Sequence, residues 1–195
     1  NEQAISGEYK TFVVNKIWKA LDSEQNLVYK ISDFSNNVYF VEDENADIGI
    51  ESVLKSITNR AYNVKKVSQL KQGDAISVNV NIKKFITLFR LDFRVTDLSG
   101  INYFSYGSDL PPQLSYDYGV VIKNPRGSSL VMNTVGTGTA SVNNKPRVVT
   151  GTILLYDTKT GKISLLDSKQ SILKGDTIFT KARYYYNDTY TIVIR

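Results

Sequence analysis

The sequence predicts a mainly β fold: an antiparallel β-sandwich or jelly-roll-like domain with one short helix. Three observations carry this. Runs rich in Val, Ile, Thr, Tyr and Phe recur along the chain, divided by clusters of Asn, Asp, Gly and Ser. One run, Ala75–Ile82, alternates cleanly, with Ile76, Val78, Val80 and Ile82 on one side and Ser77, Asn79 and Asn81 on the other. The last stretch, Pro146–Arg195, holds four β-rich runs with turn signals between them. At 195 residues and 42% hydrophobic content, the chain suits a single domain spanning residues 1–195 with its own core.

Taken in order, Gly7–Leu21 supports two readings. Tyr9, Val13, Ile17 and Leu21 recur every four residues, as on a helix face, yet Thr11–Trp18 is β-branched and aromatic. Strand is favoured, with Trp18 expected in the core. Asp22–Asn26 reads as a turn, Leu27–Ile31 as the returning strand, Ser35–Asn37 as a second turn and Val38–Glu42 as a further strand. Ile50, Val53, Leu54 and Ile57 have helical spacing, with Asp47 placed to cap the start and Asn59 to end it.

Leu70–Asp74 is a turn before Ala75–Ile82; Phe85–Val95 is a long apolar strand turned by Leu98-Ser99-Gly100. Gly73-Asp74 is echoed by Gly175-Asp176 in Leu173–Asp176. The echo suggests two related halves, but one short turn is thin support for a duplication. Ile101–Tyr118 is the least regular stretch, with five aromatics around Pro111-Pro112. It reads either as a loop folded over a core edge or as a recognition surface.

Near the C-terminus, Asp157–Gly161 signals a hairpin between Thr150–Tyr156 and Lys162–Asp167: Asp holds the start of the turn and Gly supplies the positive φ that ends it. A second hairpin is expected between Thr177–Tyr186 and Thr189–Arg195 around Asn187-Asp188, making Tyr185 and Tyr190 a cross-strand pair. Thr189–Arg195 beside the N-terminal strand would then suit strand addition between subunits.

Composition removes most catalytic options. The chain has no Cys and no His. Disulfides, thiolate metal sites, cysteine nucleophiles and a Ser-His-Asp triad are therefore impossible. Ser52–Lys55 matches S-x-x-K and Lys159-Thr160-Gly161 matches K-T-G, but S-x-x-K recurs at Ser68–Lys71 and Ser171–Lys174, no S-D-N lies between, and the second motif is already a turn. Gly136 and Gly138 lack the third glycine of a dinucleotide fingerprint. Asp43, Asn45 and Asp47 have the opening spacing of a calcium loop, yet Ile48 and Leu54 occupy its Gly and Glu positions, so a solvated acidic loop is the expectation. No enzyme activity and no cofactor are predicted.

The net charge of +5 comes from 24 basic and 19 acidic residues scattered along the chain, and it serves solubility. Lys181 and Arg183 beside Tyr184–Tyr186 read as a sheet face, so no nucleic-acid partner is expected. No apolar run is long enough for a membrane-spanning helix. The chain begins at Asn1 rather than Met, which fits a processed secreted protein or a trimmed anchored domain; Asn187-Asp188-Thr189 is a glycosylation sequon of the kind that arises readily by chance.

Two functions are consistent with these features. The first is a structural subunit of an extracellular filament, surface appendage or virion, associating with copies of itself or other structural subunits through strand and aromatic contacts. The second is an extracellular binding or adhesion module, with a glycan as ligand, using the Tyr-rich loop. Tyr103, Tyr106, Tyr116, Tyr118, Tyr185 and Tyr190 are the candidate surface for either.

Overall fold

A computed structural model describes residues 7–43, 46–50, 63–100, 116–126, 129–135, 142–148, 151–181 and 190–195. The chain is mainly β, as its alternation and turn chemistry predict, with several antiparallel sheets. It divides into two compact units, Asn1–Lys55 with Arg60–Arg94, and Val95–Arg195 with Ser56–Asn59.

The first unit contains β1 (Glu8–Val13), β2 (Lys16–Leu21), β3 (Leu27–Ser32), β4 (Val38–Val41), β5 (Ile48–Ile50), β6 (Asp74–Val80) and β7 (Ile86–Arg94). Gly7–Leu21 is therefore strand, in two pieces. β1-β6-β7-β5 form a four-stranded sheet and β2-β3-β4 a three-stranded one. Their inner faces meet where the Phe12 and Tyr39 rings stack 4.9 Å apart, both buried. Of the predicted helix, the capping position Asp47 forms an antiparallel β-bridge with Lys66 and Ile50 closes β5, while Val53, Leu54, Ile57 and Asn59 lie outside the described residues.

Three of the hairpin turns are built alike. Asp22 Oδ1 accepts from the N–H groups of Glu24 and Asn26, Asp33 Oδ1 from those of Ser35 and Asn37, and Asn81 Oδ1 from those of Lys83 and Phe85, all at 2.8–3.0 Å. In each, the residue three positions on (Gln25, Asn36, Lys84) has φ near +65°. A short polar side chain replaces backbone partners at the start of the turn, and one left-handed residue closes it. The third turn ends β6 at Val80 and leaves Ile82, which alternation assigns to the buried face, 76% exposed. Ser77, assigned to the open face, is buried.

The second unit contains β8 (Tyr116–Arg126), β9 (Ser129–Val135), β10 (Val142–Val148), β11 (Thr152–Tyr156), β12 (Ile163–Leu165), β13 (Thr177–Lys181) and β14 (Tyr190–Ile194), in one sheet of order β10-β9-β8-β13-β14-β11-β12. Val121, Ile153, Ile172, Ile178 and Val193 form its buried cluster. The β11–β12 hairpin forms as predicted: Asp157 Oδ1 accepts from Lys159 N–H at 2.9 Å, and Gly161 has φ +72°. β14 is not an edge. It is hydrogen-bonded to β13 on one side and β11 on the other, and all five of its residues are buried. The expectation that this terminal strand recruits a neighbouring subunit fails because its main-chain groups are already paired.

The two units repeat one plan. In the first, β1 is antiparallel to β6, β6 is antiparallel to β7, and β5 is parallel to β7; in the second, β8, β13, β14 and β11 are joined in the same senses. The registers correspond, with Val13 opposite Ala75 and Val120 opposite Thr177. The break at Val14-Asn15 between β1 and β2 has its counterpart in the bulge of β8 between Val121 and Lys123, where β8 passes from β13 to β9. A 3-10 turn precedes β6 (Val67–Gln69) and another precedes β13 (Lys169–Ser171).

Candidate functional site

The repeat is tightest at a buried Asp in each unit. Gly73 N–H donates to the Val14 carbonyl at 2.9 Å, and Val14 N–H donates to the Asp74 carbonyl at 2.9 Å; Gly175, Val121 and Asp176 make the same two bonds at 2.8 and 2.9 Å. Both glycines need positive φ, +90° and +94°. Asp74 Oδ2 accepts from Lys71 N–H at 3.0 Å and Asp176 Oδ2 from Leu173 N–H at 2.8 Å. An arginine at the end of the hairpin's second strand meets each carboxylate: Arg94 Nε lies 3.1 Å from Asp74 Oδ1, and Arg195 Nη2 lies 2.7 Å from Asp176 Oδ2.

The two pairs differ in alignment. Arg195 also donates from Nε to Oδ1 at 3.0 Å, a two-pronged fork that raises its guanidinium pKa. Arg94 Nε approaches Asp74 Oδ1 without hydrogen-bond alignment. Burial therefore dominates at Asp74 and pushes its carboxyl up to about 6, against the opposing Lys71 N–H and Arg94 charge. These groups face inward and close the fold.

A second polar cluster lies on the β1-β6-β7 sheet. Ser77 Oγ donates to Asp92 Oδ2 at 2.6 Å, Arg90 Nε donates to Asp92 Oδ1 at 2.9 Å, and Arg90 Nη2 donates to the Tyr9 hydroxyl at 2.9 Å. Asp92 is the extra residue of the irregularity between Ala75 and Ile76, since Ala75 pairs with Phe93 and Ile76 with Leu91. Its carboxylate is fully buried and neutralised by Arg90.

The exposed chemistry of the first unit is on the β2-β3-β4 sheet. Ile17, Ile31 and Tyr39 are in register, and Ile31 and Tyr39 face the core. The period of two then turns Trp18, Lys30 and Phe40, also in register, to the opposite face. Trp18 is 36% exposed, which corrects its expected core position; among the described residues β2 is at the edge of its sheet. The Lys30 ammonium lies 5.4 Å from the Phe40 ring centroid. Phe40 N–H donates to the Lys84 carbonyl at 2.9 Å, and an isolated parallel bridge brings Phe85 beside it, ring centroids 5.3 Å apart. An aromatic–cation–aromatic–aromatic row results. Its Lys30, Phe40 and Phe85 border a cleft of about 720 Å³ that runs to the β2–β3 hairpin, where the exposed cross-strand pair Leu21 and Leu27, the turn residues Asp22 and Glu24, and Glu42 line it, with Lys83 also on its wall.

The tyrosines named from sequence do not come together in what is described. Tyr103, Tyr106 and Tyr185 lie outside the described residues. Tyr116 and Tyr118 lie on β8, opposite Lys181 and Phe179. Tyr190 is buried and sits opposite Lys181 rather than Tyr185. Of the candidate cation loop, Asn45 lies outside the described residues, and Asp47 bridges to Lys66; among the described residues no group of three or more Asp, Glu, His or Cys is placed to hold a metal. Ser52, Gly136, Gly138 and the sequon at Asn187 also lie outside them. Lys159-Thr160-Gly161 is the turn of the β11–β12 hairpin. Among the described residues no helix is long and apolar enough to cross a membrane.

No protein-family model matches the chain, and no curated protein is significantly similar to it.

Proposed function

We propose that this chain is a structural, non-enzymatic building block of an extracellular assembly (a surface filament, appendage or virion), joining copies of itself or related subunits. The observation that carries this reading is the repetition of one β plan, each copy closed by its own Asp–Arg pair. Repetition of a β module is a common way to build extended, non-catalytic architecture. The joining surface in this reading is the outer edge of β2, whose main chain, among the described residues, pairs with β3 alone, together with the exposed Leu21–Leu27 pair at its hairpin end. The interior position of β14 moves the contact away from the C-terminal strand.

Negative-stain microscopy and size-exclusion chromatography of the full chain over a range of concentrations test this. Ordered polymers are expected, and Leu21→Glu with Leu27→Glu should abolish them. A monodisperse monomer at every concentration would refute the assembly.

A further inference from the structure

We propose that the Trp18–Lys30–Phe40 row is a binding platform for an acidic oligosaccharide. It uses different side chains from the assembly reading, which takes the main-chain edge of β2 and the Leu21–Leu27 pair, although that pair lines the same cleft. The charge is the first reason. Lys30 is half-buried at the centre of the row, held over the Phe40 ring, and among the described residues it makes no ion pair. A partly desolvated ammonium gains from an anion brought to it.

The geometry is the second reason. Neighbouring strands are about 4.8 Å apart, so the row presents one side chain for roughly each pyranose ring of a sugar chain laid across the strands. Trp18 and Phe40 would stack on the C–H faces of alternate rings, and Lys30 would meet the carboxylate of the ring between them. Phe85 extends the platform beyond Phe40. An acidic peptide fits less well. A peptide gains affinity by running along a strand edge, whereas this row crosses the strands over β3, which is paired on both sides. The acidic end of the cleft, at Asp22, Glu24 and Glu42, would set the limit of the ligand on that side by repulsion.

Trp18 is the chain's single tryptophan, so its fluorescence reports this site alone. The full chain is titrated with hexasaccharides of galacturonate and of hyaluronan, with methyl-esterified galacturonate hexamer as the uncharged control. Saturable change in Trp18 emission is expected with an acidic hexasaccharide and about tenfold weaker binding with the ester. Lys30→Met should weaken binding to the acidic form by about tenfold and leave the ester unchanged, while Lys159→Met on the second unit changes neither. Phe40→Leu, which keeps the site apolar, should weaken both forms. No binding to either acidic hexasaccharide overturns the proposal. So does equal weakening by Lys159→Met, which would mean diffuse charge, or tighter binding of a poly-glutamate peptide, which would mean a protein ligand.

Discussion

Arg195 holds Asp176 by a two-pronged fork, Nε to Oδ1 at 3.0 Å and Nη2 to Oδ2 at 2.7 Å, at the position where Arg94 meets Asp74 in the first unit. The carboxylate does two things at once. It neutralises the arginine and it accepts the Leu173 N–H that would otherwise be unpaired in the turn. Removing Asp176 should therefore cost more than removing Arg195. Asp176→Ala is expected to lower stability by about 2–3 kcal/mol, and Arg195→Ala, whose side chain is partly exposed and screened, by about 1 kcal/mol. Urea unfolding of the two variants gives the comparison; equal losses would show that the turn hydrogen bond contributes nothing.

Asp74 should make the first unit more stable in mild acid. Its folded pKa of about 6 lies above the ordinary value of 3.8, so between these values the folded state binds the proton more tightly than the unfolded chain. Its contribution is fully present below the ordinary value and is lost as pH rises through 6. The difference is up to about 3 kcal/mol at 1.36 kcal/mol per pKa unit. Asp74→Asn should flatten the dependence of unfolding free energy on pH between 4 and 7 relative to the parent. An unchanged profile would contradict burial as the dominant influence at Asp74.

The β6–β7 turn should respond to its two ends in opposite senses. Asn81→Ala deletes the acceptor for two N–H groups and should destabilise by about 1 kcal/mol. Lys84→Gly removes a side chain from a left-handed position, φ +65°, and should be neutral or stabilising by up to about 1 kcal/mol. Thermal unfolding of both variants distinguishes them, and a destabilising Lys84→Gly would contradict the strain.

Much of the fold was legible. Asp157 and Gly161 announce their hairpin because turn chemistry is local. The turn at Asn81 was missed because it uses neither Gly nor Pro, and Ile82 continues the alternation by coincidence. Trp18 looked like core since the period of two cannot say which face is covered. The parallel pairings β5–β7 and β11–β14 join strands far apart in sequence, where no local signal exists. The echo of Gly73-Asp74 at Gly175-Asp176 was the true sign of repetition, but its flanks mislead. Hydrogen bonding matches Leu173 with Lys71, which places buried Ile172, not Leu173, at the position of buried Leu70. The exposed row was hidden for a related reason: Trp18, Lys30, Phe40 and Phe85 belong to four separate segments, and only strand register brings them together.

The claim that the chain is built from two copies of one self-closing module is tested most directly by hydrogen exchange on the full chain carrying Asp176→Ala or Asp74→Ala. Asp176→Ala is predicted to lower amide protection in β8, β11, β13 and β14 while leaving β1, β6 and β7 as in the parent, and Asp74→Ala should do the reverse. Loss of protection in both sets of strands from either substitution would contradict it.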